Sequence, residues 1–277
     1  MPVGRYGLGV AASLVVVGAG RMGGAILTGL LTRAGWQTAD LAVVEPDAAR
    51  RAELVVAHPG LHVVGNAEPG LADPEADAVL AVKPDVAEPA CRALGAAGIR
   101  RVLSVVAGMP AARLEAVLPD GAIVVRAMPN MPALVGAGVS AISAGSNARA
   151  ADLAWAEELL GALGSVVRVP ERQLDVVTAL SGSGPAYVFL VVESLVEAGV
   201  LAGLPRELSA TLATETVRGA AALLTETGQR PELLRADVTS PGGTTAAGLR
   251  ALEARGVRSA FIEAVLAAAE RARGLAR

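Results

Sequence analysis

Residues 14–25, Leu-Val-Val-Val-Gly-Ala-Gly-Arg-Met-Gly-Gly-Ala, run an apolar β-branched stretch straight into Gly18-x-Gly20-x-x-Gly23 and on into a helical pattern. No other feature restricts the fold as much. A strand feeding a helix through three spaced glycines opens a doubly wound α/β domain that binds a dinucleotide. Each glycine has its own task. Gly18 makes the tight turn, Gly20 lets backbone approach a pyrophosphate, and Gly23 lets the helix pack closely on the strand. The bare spacing is weak in a chain with 32 glycines. The strand before it, the helix after it and a further strand at Leu41–Glu45 supply the context it needs. Arg21 and Met22, at the start of the helix, join the glycines in the expected cofactor set.

The same rhythm continues. Leu14–Gly18, Leu41–Glu45, Leu61–Val64, Ala78–Val82, Val102–Val106 and Ile123–Met128 read as strands, and Gly138–Ser143 and Ser165–Val169 flank a helix from about Asn147 to Leu163. Nearly continuous apolar strands separated by helices predict a parallel sheet covered on both faces. After Pro170 the strand pattern stops, and helices fit 171–180, 185–202, 205–227, 230–236, 244–255 and 257–273. The expected architecture is a Rossmann-type dinucleotide-binding α/β domain over residues 13–170 and an all-helical domain over 171–277, with residues 1–12 a leader of no assigned role. The helix from Pro185 to Leu201 is apolar around most of its circumference and must be surrounded. A partner subunit and its own domain are both open as sources of cover. With Glu193 and Glu197 in it, the segment is expected to be too interrupted for a membrane span.

Composition removes several function classes. The formal net charge is −3 and there is no basic tract, so neither nucleic acid nor an anionic membrane surface is an expected partner. Cys91 is the only cysteine, which excludes a disulfide framework and cysteine-based metal spacing and fits a reducing cytoplasm. No metal is expected. The apolar run from Leu8 to Gly20 is rejected as a signal-peptide core, because cleavage would destroy the first strand and the glycine motif. All but one of the 24 basic residues are arginines; the exception is Lys83, and the two histidines are His58 and His62. The region after residue 170 therefore holds neither lysine nor histidine, which excludes any mechanism that takes a Lys or His acid/base from there.

Other segments fall where ligands of such sheets gather. Ala81-Val82-Lys83-Pro84 ends the fourth strand, outside whose carboxyl edge a cofactor would lie. Lys83 reads either as a ribose contact or as a surface residue. Val105-Val106-Ala107-Gly108 and the run from Arg126 to Pro132 end the next two strands and line the same crevice. Glu45 ends the second strand, where an acidic residue accepts from the adenosine ribose hydroxyls and repels a 2′-phosphate, so NADH is preferred over NADPH. Arg50 and Arg51 follow closely and could instead receive that phosphate. In the helical part, Asp237-Val-Thr-Ser-Pro-Gly-Gly-Thr-Thr245 clusters hydroxyls and glycines before a helix that begins near Thr244. Aligned backbone N–H groups and the helix dipole there suit a small carboxylate. A plain helix–helix turn uses Pro-Gly-Gly equally well.

In this order and separation, the motifs closely resemble those of pyrroline-5-carboxylate reductases, the enzymes of the last step of proline biosynthesis. The matching pieces are Gly18-Ala-Gly-Arg-Met-Gly, Ala81-Val-Lys-Pro84, Arg126-Ala-Met-Pro-Asn-Met-Pro132, Asp175 with Thr178-Ala-Leu-Ser-Gly-Ser-Gly-Pro-Ala-Tyr187, Gly203-Leu-Pro205, and Val238-Thr-Ser-Pro-Gly-Gly-Thr-Thr245. The resemblance covers roughly residues 14–273 and implies an oxidoreductase. It would reduce the cyclic imine 1-pyrroline-5-carboxylate to L-proline by hydride transfer from NADH or NADPH. It also implies that Ser240, Gly242, Gly243, Thr244 and Thr245 hold the substrate carboxylate, that the Thr245 hydroxyl meets the ring nitrogen, and that Asn66 and Lys83 lie against the cofactor. The helical domain would be the dimerisation unit, with dimers able to assemble further. Two-domain hydroxyacid dehydrogenases look to a lysine in the helical part, which this chain lacks there. Lactate-type enzymes need a catalytic histidine, and His58 and His62 precede the fourth strand. A cofactor-binding sensor without turnover and a reductase of six-membered imines are both compatible with these residues.

Overall fold

The computed structural model describes residues 12–275. The expected leader lies outside the described residues except for Ala12, which already belongs to the first strand. Ala12–Val17 (β1) is followed by Arg21–Arg33 (α1), Leu41–Val44 (β2), Ala48–Ala57 (α2) and His62–Val64 (β3). Ala72–Leu80 (β4), Pro84–Ala96 (α3), Arg101–Ser104 (β5), Ala111–Glu115 (α4) and Ile123–Met128 (β6) continue the alternation. With Gly138–Ala144 (β7), Ala150–Gly161 (α5) and Gly164–Arg168 (β8), the strands form one sheet in the order β3-β2-β1-β4-β5-β6-β7-β8. The order reverses between β1 and β4, so the crevice at their carboxyl ends is the topological switch point.

Every strand pair is parallel except β6–β7, which is antiparallel with Val125 opposite Ala144. The wholly parallel sheet expected from the sequence is corrected at that joint. Residues 129–137 hold only the 3-10 turn Met131–Val135, closed by Gly136 at φ +75°. A parallel return needs a crossover of about a dozen residues or more, and this connection is too short for one.

Alternate side chains of the strands serve opposite faces. Leu14, Val16, Val79, Leu103 and Val125 pack with Ile26, Leu27 and Leu30 of α1 and Leu159 and Leu160 of α5. Val15, Val17, Leu80, Val102 and Val124 pack with Ala87, Cys91 and Leu94 of α3 and Leu114 of α4. Both faces are covered, as continuous apolar strands require. Burial pushes the Cys91 thiol up to about 12, so it is a small core apolar group rather than a nucleophile.

Leu174–Val177 (α6) leads through a π-helical turn at Thr178–Gly182 into Gly184–Leu201 (α7), Arg206–Thr227 (α8), Pro231–Asp237 (α9), Thr244–Ala254 (α10) and Val257–Leu275 (α11). Prolines stand in the first turns of α7 and α9, where a missing N–H costs nothing, and Gly228 at φ +62° ends α8. By compactness the chain divides after Gly182, with Ser183–Ala267 as a helical unit and the residues from Ala268 grouped with the first unit. The strand pattern of the sequence places the boundary earlier, near Pro170. The helical run Glu171–Leu201 is long and apolar enough, by length and composition, to cross a membrane. Glu193 and Glu197 leave its average composition apolar, and a core helix of a soluble protein meets the same criterion.

Candidate active site

The chain leaves β1 and turns at Gly18 with φ +87°, a left-handed conformation that side chains rarely adopt. A β-carbon there would come within 2.6 Å of the Ala81 carbonyl oxygen, and one at Gly23 within 1.9 Å of the Gly18 oxygen. These two glycines exist for packing. Gly20 is different: its φ is −64° and an added β-carbon would meet no heavy atom within 4 Å. Its bare backbone faces open space, which is what a close-lying pyrophosphate needs. The first bond of α1 runs from the Gly24 N–H to the Gly20 carbonyl at 2.8 Å. The amides of Arg21, Met22 and Gly23 have no acceptor among the described residues. Three open donors at a helix N-terminus form an anion site, so the residues present fit a dinucleotide.

Glu45 directly follows β2 and is buried. Its Oε2 accepts the Ala19 N–H at 2.9 Å and its Oε1 the Asp47 N–H at 3.0 Å. The carboxylate thus braces the glycine turn against the β2–α2 turn, a task that the sequence did not reveal. Arg50 assists, its Nε donating to the Ala19 carbonyl at 3.1 Å while Nη1 pairs with Glu53. Arg51 Nη1 donates to the carbonyls of Glu45 and Pro46 at 2.9 and 2.7 Å. Both arginines hold backbone at the edge of the crevice.

A cleft of about 310 Å³ opens between the carboxyl ends of β1, β2 and β4 and α3, lined among others by Gly18, Pro46, Asn66, Val82 and Val86. β4 ends at Leu80, two residues earlier than expected, yet the Ala81 N–H still bonds Val17 at 2.8 Å. Lys83 is the exposed N-cap of α3, with Pro84 beginning the helix, and its ammonium has no partner among the described residues. Ala107 and Gly108 lie in the loop after β5, which turns at Gly108 with φ +69°. The glycines, Arg21, Met22, Glu45, Asn66, Ala81–Pro84, Ala107 and Gly108 therefore gather at the carboxyl ends of neighbouring strands in the first unit.

Asn130, just beyond β6, is buried, accepting the Val139 N–H at 2.9 Å and donating to the Ser181 carbonyl at 3.2 Å. The Ser181 hydroxyl is itself buried without a partner among the described residues. Both belong to runs noted in the sequence, but their mutual bond is visible only in three dimensions.

The hydroxyl-rich loop lies within the helical unit, between α9 and α10. Gly242 turns with φ +71°, and the Gly243 N–H closes the turn on the Ser240 carbonyl at 3.0 Å. A β-carbon at Gly243 would strike the Ser240 hydroxyl at 2.4 Å, so glycine is required there. α10 has no side-chain cap, and its first bond runs from Ala247 to Gly243 at 3.2 Å. The amides of Gly242, Thr244, Thr245 and Ala246 and the hydroxyls of Thr244 and Thr245 have no partner among the described residues. The residues expected from the sequence include Gly243, whose amide is already engaged, and omit Ala246, whose amide is free.

A family model described as pyrroline-5-carboxylate reductase dimerisation matches residues 171–275, and one described as NADP oxidoreductase coenzyme F420-dependent matches residues 13–108. The pyrroline-5-carboxylate reductase of Synechocystis sp. is 44% identical over 263 residues, spanning 95% of this chain and 97% of that protein. The chain belongs to the pyrroline-5-carboxylate reductase family. Among solved structures, the pyrroline-5-carboxylate reductase of Coxiella burnetii matches with a TM-score of 0.87 at 34% identity, covering 96% of this chain and 99% of that one. The pyrroline carboxylate reductase of Plasmodium falciparum, solved with NADP bound, matches with a TM-score of 0.81 at 28% identity, covering 97% and 100%. A Rossmann-type sheet followed by a helical dimerisation domain is thus the fold class of this pyrroline-5-carboxylate reductase family member.

Proposed function

We propose that this chain is an NAD(P)H-dependent reductase of proline biosynthesis, converting 1-pyrroline-5-carboxylate to L-proline in the cytoplasm as a homodimer or larger homo-oligomer. The observation that carries this reading is the N-terminus of α10, where open amides and two free threonine hydroxyls stand together in a region with no lysine or histidine. Such a site can hold a carboxylate and orient a nitrogen, but it offers no strong acid or base. A cyclic imine needs no more, since it is electrophilic already and more so when protonated on nitrogen. Bound at the crevice of the first unit, the nicotinamide cofactor supplies the hydride.

The chain's residues then divide the work. Open amides at Gly242, Thr244 and Thr245, with Ser240 beside them and Gly243 shaping the turn, receive the carboxylate and fix the ring. The Thr245 hydroxyl accepts from the protonated imine nitrogen and holds it in register. Gly18, Gly20, Arg21, Met22 and Gly23 take the pyrophosphate, Asn66 and Ala81–Pro84 the ribose and adenine side, and Ala107 and Gly108 the nicotinamide end. Placement of this kind supplies several kcal/mol of the barrier, about 7 or more where geometry is well matched. The division of labour follows domains of roughly 13–170 and 171–277.

Cofactor choice rests on Glu45. Its two oxygens are held by backbone amides, so its influence on the adenosine ribose is mainly that of a fixed negative charge, which disfavours a 2′-phosphate and favours NADH. The test is initial-rate oxidation of NADH and NADPH with pyrroline-5-carboxylate. Robust turnover is expected, and no turnover in protein that binds dinucleotide would reduce the α10 loop to a turn. In Glu45→Gln the NADPH/NADH ratio of kcat/KM should rise about tenfold, the equivalent of ~1.4 kcal/mol of removed repulsion. A constant ratio would leave the choice to Arg50 and Arg51.

A further inference from the structure

The face of the sheet that packs on α3 and α4 is apolar until its carboxyl end, where one row turns polar across three strands. Ser104 of β5 stands beside Arg126 of β6, which stands beside Ser143 of β7, and all three are buried. Arg126 is a charge with only 11% of its side chain exposed. Among the described residues its one hydrogen-bond acceptor is Glu171, with Nη1 to Oε1 at 2.8 Å. The same Oε1 accepts the Ala111 N–H, also at 2.8 Å, and Ala111 is the first residue of α4. At the other end of the β5–α4 loop, the Ser104 hydroxyl lies 3.4 Å from the Val106 amide. The loop between these ties carries Ala107 and Gly108. It is thus fixed at its start by Ser104 and at its end by a carboxylate whose position is set by a buried guanidinium.

We infer that Glu171 and Arg126 form a latch that sets the β5–α4 loop, making both positioning residues for hydride transfer. The inference rests on the proposed reductase reading only in assigning that loop to the nicotinamide end. A buried arginine without its carboxylate is costly, so the closed arrangement with the loop fixed is favoured, and breaking it leaves both the guanidinium charge and the Ala111 amide unpaired. Glu171 sits in the turn directly after Pro170, so the tie joins the cofactor loop to the segment that leads into the helices.

The test compares Glu171→Ala, Glu171→Gln and the double variant Arg126→Met/Glu171→Leu with the unmodified chain. In Glu171→Ala, amide exchange at Val106–Ala111 of the free protein should accelerate. The kcat should fall about tenfold or more, as a displacement approaching 1 Å implies, with NADH affinity within threefold and a larger primary isotope effect from deuterated NADH. Glu171→Gln keeps an acceptor oxygen and should recover most of the turnover. The apolar double variant removes the buried charge together with the latch, so thermal stability should return while kcat stays low. Unchanged exchange in Glu171→Ala, or kcat returning with stability in the double variant, would overturn the latch. Turnover by the unmodified chain decides the reductase reading separately, and the exchange measurement requires no turnover.

Discussion

Thr245 is the second residue of α10, and neither its hydroxyl nor its amide has a partner among the described residues. A threonine in that position holds two polar groups ready for a ligand without prior desolvation by the protein. Thr245→Val preserves the shape of the side chain and the backbone amide and deletes only the hydroxyl. Carboxylate capture should survive, and NADH affinity should stay within twofold because the residues proposed to hold the cofactor belong to the other unit. The kcat should fall about tenfold or more, since one hydrogen bond to a charged group is worth ~1.5–3 kcal/mol. Steady-state kinetics and a fluorescence titration of NADH separate the two effects. Wild-type turnover in this variant removes Thr245 from the mechanism. Cys91 supplies the opposite case, a chemically capable group that burial makes inert.

At the scale of the element, the β1–α1 turn shows how one motif splits into fold and function. Gly20→Ala should leave the melting temperature nearly unchanged, since nothing lies within 4 Å of the new β-carbon, yet weaken dinucleotide binding about tenfold. Gly23→Ala drives a methyl into the Gly18 carbonyl and should destabilise by about 3 kcal/mol or more. Thermal melts and NADH titrations of the pair test this, and equal binding by Gly20→Ala and wild type would contradict the assignment. The motif was legible because strand, turn and helix are local. So was the existence of the eight strands, since an apolar run is a local signal, although β4 starts at Ala72, well before the apolar run that marks it, and β8 is mostly exposed. The antiparallel joint is not found by reading strands one at a time, although Pro129, Pro132 and Gly136 mark its short connection. Direction is fixed by connection length rather than by the strand's own residues. The role of Glu45 was hidden for a related reason. Its place at the end of β2 is a matter of sequence, but its acceptance of the Ala19 amide depends on two turns meeting in space. The Arg126–Glu171 pair, 45 residues apart, leaves no sequence signal beyond an arginine in an otherwise apolar strand.

For the molecule as a whole, the helical unit does not cover its own apolar surface. Of α7, only Val196 is buried, while Val188, Phe189, Leu190 and Leu195 are exposed. Leu190 and Leu195 join Leu252 and Phe261 in lining a groove of about 710 Å³ within that unit. Covering each large apolar side chain is worth ~1.5–3 kcal/mol, so several on one face favour strong association with a matching face. A second copy of this chain presents such a face by symmetry, and the match of residues 171–275 to a dimerisation family fits that arrangement. Leu190→Glu would place a charge in this apolar groove. Light scattering should then give the mass of one chain, where the wild type gives twice that mass or a multiple of it. The consequences for function differ between the two halves of the site. The residues proposed to hold the cofactor lie within the first unit, so the monomeric variant should bind NADH almost as the wild type does. The loop proposed to hold the carboxylate lies between α9 and α10 of the unit that loses its partner. If the loop of one copy serves the cofactor of the other, turnover should drop much further than NADH affinity. A monomeric variant with full turnover would show that each chain completes its own site, and a dimer that survives Leu190→Glu would place the interface elsewhere on the helical unit.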